Sequence, residues 1–254
     1  MFAHWFGLES GLWLLVEFLL CAGVVVVAGV KLAHYGDVLA EKTKLGGAWV
    51  GLMLLATATS APELVGSLGA VVMVRQPDLA FGNLFGSNVF NLMIIAVLDV
   101  IQRRGPLIST VSPRLVVPAS ISVILIGVAG AGVALANVPG TGHIVAEWGW
   151  LISLTIFLGY LLAARQIFRH ERRAQAADPP VPSSHQAVSS RSAWKGFAAA
   201  TLIIIVAGLW LVQVVDALAV HPFAFGGVRL VFGRTFAGTI FLAAATSLPE
   251  LVVT

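Results

Sequence analysis

Apolar residues along this chain are gathered into long runs separated by short polar blocks. A helix that crosses the hydrocarbon core of a bilayer needs about 20 mostly apolar residues. Six complete runs of that length stand at roughly 11–33, 46–74, 79–101, 114–136, 147–168 and 196–220, and a seventh begins near Gly226 and reaches Thr254. Each is expected to be a helix, because lipid offers no hydrogen-bond partner to the open edge of a strand. The predicted fold is an all-α polytopic membrane protein. Residues 169–195, rich in Arg, Pro, Ser and Ala, form the one long polar loop and divide the chain.

Composition supports this reading. Of 254 residues, 58% are hydrophobic and 11% charged, too apolar for a soluble core and too poor in charge for a nucleic-acid binder. The net charge of +3 reports orientation instead. With the N-terminus outside, twelve of the fifteen Lys and Arg residues fall in inside segments and three (Arg75, Arg229 and Arg234) outside, which the positive-inside rule favours. Loop 169–195 is then cytoplasmic in a multi-pass cell-membrane protein. The first ten residues contain no Lys or Arg, so the first run is read as a span and not as a secretory signal. The lone cysteine, Cys21, has no intrachain partner and reads as a small buried hydrophobe.

An internal repeat carries most of the information. Trp49–Ser67 aligns with Phe236–Thr254 at ten identical positions of nineteen, with a constant offset of 187. The shared core is Thr-Ser-x-Pro-Glu-Leu-Val. The copies lie five spans apart, and an odd number of crossings reverses direction. This is the pattern of an inverted-topology repeat, which in secondary transporters places the substrate site near mid-membrane where the repeats meet. The organisation that follows is a first five-span half over 1–168, with its repeat at 46–101; the loop 169–195; and the start of a second half over 196–254, with its repeat from 235.

The repeated motif has the chemistry of a cation site. Glu63 falls near the middle of its apolar run, and Glu250 occupies the equivalent place in the second copy. A charged residue at that depth costs about 2.5–3.5 kcal/mol, so two in symmetric positions call for a cation. Pro62 and Pro249 lack an N–H, which frees the carbonyls of Ala58 and Ala245 four residues back. Thr59 and Ser60, at i−4 and i−3 from Glu63, share its helix face. A set of carboxylates, hydroxyls and carbonyls suits Ca²⁺, which takes 6–8 oxygens. No His or Cys joins the cluster, which argues against zinc or copper. In the third run, Gly82–Asn91 (GNLFGSNVFN) sets Asn83, Ser87 and Asn91 at i, i+4 and i+8, a polar stripe beside a Gly82/Gly86 step that permits close helix approach. Asn88, off that stripe, is expected to bond between helices.

At these residues the chain resembles the cation/calcium exchanger superfamily, and within it the prokaryotic-type sodium/calcium exchanger branch. Both repeats of that family carry G-T-S-x-P-E and G-N-x-x-G-S-N-x-x-[ND]. Here the first reads Ala58-Thr59-Ser60-Ala61-Pro62-Glu63 with Gly82–Asn91, and the second Ala245-Thr246-Ser247-Leu248-Pro249-Glu250. The Gly before Thr-Ser is Ala in both. The resemblance implies as ion ligands the carbonyls of Ala56 and Ala243 with Thr59, Ser60, Glu63, Ser87, Asn91, Thr246, Ser247 and Glu250. The proline argument names Ala58 and Ala245 as carbonyl donors; both pairs stay open. The family has ten spans and a second G-N-x-x-G-S-N segment in the eighth, so the chain is expected to be C-terminally incomplete, with six complete spans and part of a seventh.

The implied activity is Na⁺/Ca²⁺ antiport by alternating access, with 11–33 and 196–220 as the moving gate. Ca²⁺ and Na⁺ are the substrates, the bilayer is the other partner, and no cofactor is expected. A Ca²⁺/H⁺ exchanger is the alternative, although that branch has an acid where Gly86 stands, and Asn91 takes no proton. A K⁺-dependent exchanger tends to carry Asp at Asn91. A passive cation channel is a further alternative. An intramembrane serine protease would need a membrane His near Ser60 or Ser87, but His34, His143 and His221 lie at span ends, and His4, His170 and His185 lie outside spans. The expectation is therefore a transporter and not an enzyme. Glu17 and Asp216 are read as snorkelling or capping residues in the outer halves of their spans, and Asp99 as an i,i+4 partner of Arg103.

Overall fold

A computed structural model describes residues 11–43, 57, 59–102, 116–175, 189–225 and 228–253. It is built almost wholly of helices: α1 (Gly11–Thr43), α2 (Ala61–Val72), α3 (Pro77–Gln102), α4 (Val116–Ala136), α5 (Gly142–Gln175) and α6 (Ser190–Val220). A short α7 (Arg234–Ala237) passes through a π-helical stretch, Gly238–Leu242, into α8 (Ala243–Val253). Among the described residues, five helices are long and apolar enough to cross a bilayer, within α1, α3, α4, α5 and α6. The chain is an all-α polytopic membrane protein.

Helix ends overrun the apolar runs. α1 continues to Thr43, and α5 and α6 extend into the expected polar loop as far as Gln175 and from Ser190. Polar residues outside the hydrocarbon carry a helix as readily as apolar ones inside it, so the apolar run sets only a minimum length. Ser189 caps α6, its hydroxyl accepting from the Ser192 N–H at 3.2 Å. Residues 176–188 of the expected loop, 46–56 and 58 of the second run and Arg103 lie outside the described residues.

The seventh run differs more. It opens on a strand and not on a helix: β2 (Val228–Leu230) pairs antiparallel with β1 (Phe223–Phe225), which precedes the run, Phe223 opposite Leu230 and Phe225 opposite Val228. A two-residue Gly226-Gly227 link between strands rich in Phe and Val is a hairpin signal that an apolar count overlooks. The helix begins only at Arg234, after Gly233 at φ 78°.

The chain forms two compact units. Gln102–Val181 holds α4 and α5. The turn between them contains Gly140 at φ 89°, a left-handed conformation that glycine takes without strain. Gly132 faces Ile152 and Gly159 faces Leu125, the pairing of an antiparallel helical hairpin.

Met1–Ile101 and Pro182–Thr254 make the other unit. Its axis is α1 against α6, where Ala28, Leu32, Ala200 and Ile204 are buried together. A larger cluster joins Val25 of α1, Leu79 of α3, Leu211 and Val215 of α6 and Leu242. Small residues let these helices approach: Gly69 of α2 faces Leu209 and Val212, and Gly208 of α6 faces Val65. Between α2 and α3, Arg75 takes a left-handed φ of 59° and the Gln76 N–H closes onto the Ala70 carbonyl at 2.9 Å. Pro77 then opens α3 at the position where a missing N–H costs nothing.

Candidate functional site

The site is built where α2, α3 and α8 meet within the unit made of Met1–Ile101 and Pro182–Thr254. α2 starts at the motif: Ser60 stands at its N-cap, Pro62 and Glu63 are in its first turn, and the Leu64 N–H bonds the Ser60 carbonyl at 3.1 Å. Proline is tolerated there, and an acidic side chain in the first turn is favoured by the positive end of the helix dipole, by about 0.3–1 kcal/mol. The Ser60 side chain makes no capping bond. The second copy is different. Pro249 lies inside α8, which runs unbroken from Ala243 to Val253, and the irregularity sits earlier, in the π-helical turn. The expected helix interruption at Pro249 is therefore displaced by about two turns toward Gly238. Such π turns concentrate at functional sites.

Backbones touch at the α3 crossing. A Cβ on Gly82 would lie 2.6 Å from the Thr235 carbonyl oxygen, and one on Gly86 2.5 Å from that of Thr239. Gly238 returns the contact, facing the Leu79 carbonyl at 2.5 Å. The Gly82/Gly86 step thus seats α3 on the turn that introduces the second motif copy. α1 closes another side: a Cβ on Gly29 would meet Pro249 at 2.6 Å and lie 4.0 Å from Pro62. One glycine of α1 therefore faces the prolines of both copies.

The polar side chains bridge these elements. Ser247 of α8 donates through Oγ to Glu63 Oε1 at 3.2 Å, joining one copy to the other. Asn83 of α3 is wholly buried. Its Nδ2 donates to Ser67 Oγ at 2.9 Å and to the Glu63 carbonyl at 3.3 Å, and its Oδ1 accepts from Thr246 Oγ1 at 3.3 Å. A carbonyl can only accept, so the amide orientation is dictated by its partners. Thr246 Oγ1 is also 3.3 Å from the Ala243 carbonyl within its own helix.

Glu63, Ser87, Thr246, Ser247 and Ala243 are buried. The Ser87 Oγ and Asn91 Oδ1 are buried with no hydrogen-bond partner among the described residues. Thr59 is half-buried and Ser60 exposed, so the Ser60 hydroxyl is not in the buried group. Ala56 and Ala58 lie outside the described residues; Ala245 is buried. The backbone of Glu250 belongs to α8, and its side chain lies outside the described residues.

No group of three His, Cys, Asp or Glu occurs among the described residues. The available donors are one carboxylate with hydroxyl, amide and carbonyl oxygens, a set for hard cations. Two members were not foreseen in these roles. Ser67 lies one turn beyond Glu63 on the same face, a spacing that could have found it. Asn83 belongs to the foreseen stripe, but its donors are spent on holding α2.

Other polar residues depart from expectation. Glu17 is buried, and its Oε1 accepts from the Trp210 indole N–H of α6 at 2.7 Å, so it is a packed partner and does not snorkel. Asp216 pairs with Arg234 at 2.7 Å. Exposed Asn88 donates to the Leu84 carbonyl of its own helix at 2.8 Å and not to a neighbouring helix.

Residues 13–167 match the family model described as sodium/calcium exchanger protein. Over 96 residues the chain is 38% identical to "Putative antiporter CaxA" of Alkalimonas amylolytica, a match covering 38% of this chain and 25% of that relative. No solved structure matches the chain.

Proposed function

Since the chain belongs to the sodium/calcium exchanger protein family, we propose that it works as a secondary active transporter that exchanges Na⁺ for Ca²⁺ by alternating access. The contact of Ser247 with Glu63 carries the reading, because it joins the two motif copies at a buried carboxylate. In this proposal the cation lies between Glu63 and Glu250. Thr246, Ser247, Ser87 and Asn91 complete its oxygen shell, with Thr59 and Ser60 and the carbonyls of Ala56 and Ala243 reaching it in the loaded state. Asn83 stays outside the shell and sets the spacing of α2 and α8.

The charge logic sets the coupling. An empty site with two carboxylates is costly to move through a low-dielectric barrier, so the transition waits for a filled site. Several Na⁺ or one Ca²⁺ share overlapping oxygens. Net charge movement draws on the membrane potential at about 2.3 kcal/mol per charge per 100 mV. α1 and α6 slide as the gate, α1 bearing on both prolines through Gly29. The N-terminus is outside and the 169–195 loop cytoplasmic in this proposal, and the odd number of spans between the copies inverts the second relative to the first.

Asn91 favours Na⁺ over H⁺ as the coupling ion, since an amide oxygen holds a cation but accepts no proton. The test is Ca²⁺ uptake by vesicles holding the full chain, under an outward Na⁺ gradient or an imposed pH gradient. Uptake that follows the Na⁺ gradient and responds weakly to pH is expected. Uptake driven equally by a proton gradient without Na⁺ moves the protein to Ca²⁺/H⁺ exchange, and uptake needing neither makes it a channel.

A further inference from the structure

A groove of about 630 Å³ runs between α1 and α6 on the face away from the α2–α3–α8 junction, lined by Leu20, Gly23, Val24 and Ile203 and ending at Lys31 and Tyr35. Its α1 side is one helical stripe, positions 20, 24, 27, 31 and 35 recurring every three to four residues. About three apolar turns lead to one cation. Lys31 is exposed and has no carboxylate partner among the described residues. Tyr35 packs its ring on Gly196 of α6 and closes this end of the groove.

Depth along α1 identifies the occupant. Gly11 to Lys31 spans twenty residues, about 30 Å at 1.5 Å per residue, which equals the hydrocarbon thickness of a bilayer. Lys31 therefore stands at headgroup level. Leu19 to Lys31 covers about 18 Å, a little more than one leaflet. The groove is thus one acyl chain deep, apolar along the chain and cationic at the headgroup. We propose that it binds an anionic phospholipid, the phosphate on Lys31 and one acyl chain laid between α1 and α6. With the N-terminus outside, this is the cytoplasmic leaflet, where anionic lipids are concentrated.

Gly23 offers a direct way to fill the groove. A Cβ there meets nothing within 4 Å, so a large side chain enters the groove without displacing protein atoms. The full chain, reconstituted in phosphatidylcholine vesicles, is titrated with spin-labelled phosphatidylglycerol or spin-labelled phosphatidylcholine, and the motionally restricted fraction of each is read by electron paramagnetic resonance. A preference for phosphatidylglycerol of about fivefold is expected, the factor for one lysine at an anionic surface. Lys31→Gln should bring the ratio to about one, and Lys31→Arg should keep it. Gly23→Trp should lower the restricted fraction of both lipids. Both positions are exposed, and an unchanged thermal transition in the variants checks their fold. Equal restriction of the two lipids by the unaltered chain overturns the proposal, as does a preference that survives Lys31→Gln or a restricted fraction that survives Gly23→Trp. The measurement reads binding without transport, so its failure is separate from failure of the exchange reading.

Discussion

The two compact units use their polar residues differently, although both hold side chains bonded back to their own helix, as Thr201 and Gln213 are in α6. In the α4–α5 hairpin, Thr155 donates to the Leu151 carbonyl at 2.7 Å and Asn137 to the Val133 carbonyl at 2.9 Å, each one turn back in its own chain segment. In the other unit, Asn83, Ser247 and Trp210 bond across helices. None of the α5 spanning window and 6% of that of α4 is buried, against 11% in α3, 39% in α1 and 44% in α6. Lipid accepts a hydroxyl whose proton is already taken by its own helix, because no polar group is left unsatisfied. A polar group aimed at another helix holds that helix in place and must be shielded. Cross-helix bonding marks the site-bearing unit.

Glycines should show the difference most strongly. A Cβ on Gly86 would meet the Thr239 carbonyl and, at 2.7 Å, the Ala243 side chain, whereas one on Gly130 of α4 would meet nothing within 4 Å. Gly86→Leu is expected to separate α3 from the π-helical turn and to cost about 3 kcal/mol or more, since backbone cannot yield as a side chain does. Gly130→Leu should be neutral or slightly stabilising, glycine being about 1 kcal/mol worse than the best helix formers. Thermal unfolding in detergent checks both. Equal shifts would erase the distinction between the units.

A smaller effect sharpens the same contrast. Asn83→Asp keeps the acceptor for Thr246 but removes both donors, leaving Ser67 and the Glu63 carbonyl without their amide. A buried group left unsatisfied costs about 1–3 kcal/mol. Thr155→Val, which removes an exposed bond within one helix, should stay within about 0.5 kcal/mol. Ca²⁺-dependent stabilisation should fall in the Asn83 variant and not in the Thr155 variant. If Asn83→Asp keeps both stability and Ca²⁺ response, its bridge between α2 and α8 has no structural weight.

Much of this organisation is legible in the chain because membrane helices must satisfy their own backbones, so run length alone locates α1, α3, α4, α5 and α6. The motif residues declare themselves too, since Glu63 in the middle of an apolar run has few physical explanations. Other features needed the third dimension. The spacing of Asn83 gives its face but not that its partners are Ser67 and Thr246. Glu17 looks like a residue reaching for water until Trp210, 193 positions away, supplies its N–H. The hairpin around Gly226-Gly227 is hidden by apolar strands that count like helix. The two copies also share a sequence without sharing a helix geometry: the proline opens α2 but sits within α8, because what surrounds the motif, and not the motif, decides where the helix starts.

The central claim is that the two motif copies make one cation site. Calorimetric titration of the purified chain with Ca²⁺ tests it most directly, comparing the unaltered chain with Glu63→Gln, Glu250→Gln and the double variant. Removing one carboxylate from a shared site should weaken Ca²⁺ binding about a hundredfold or more, with the double variant little worse than either single one. Single variants that each keep half of the bound Ca²⁺ at unchanged affinity would mean two independent sites and would contradict the account.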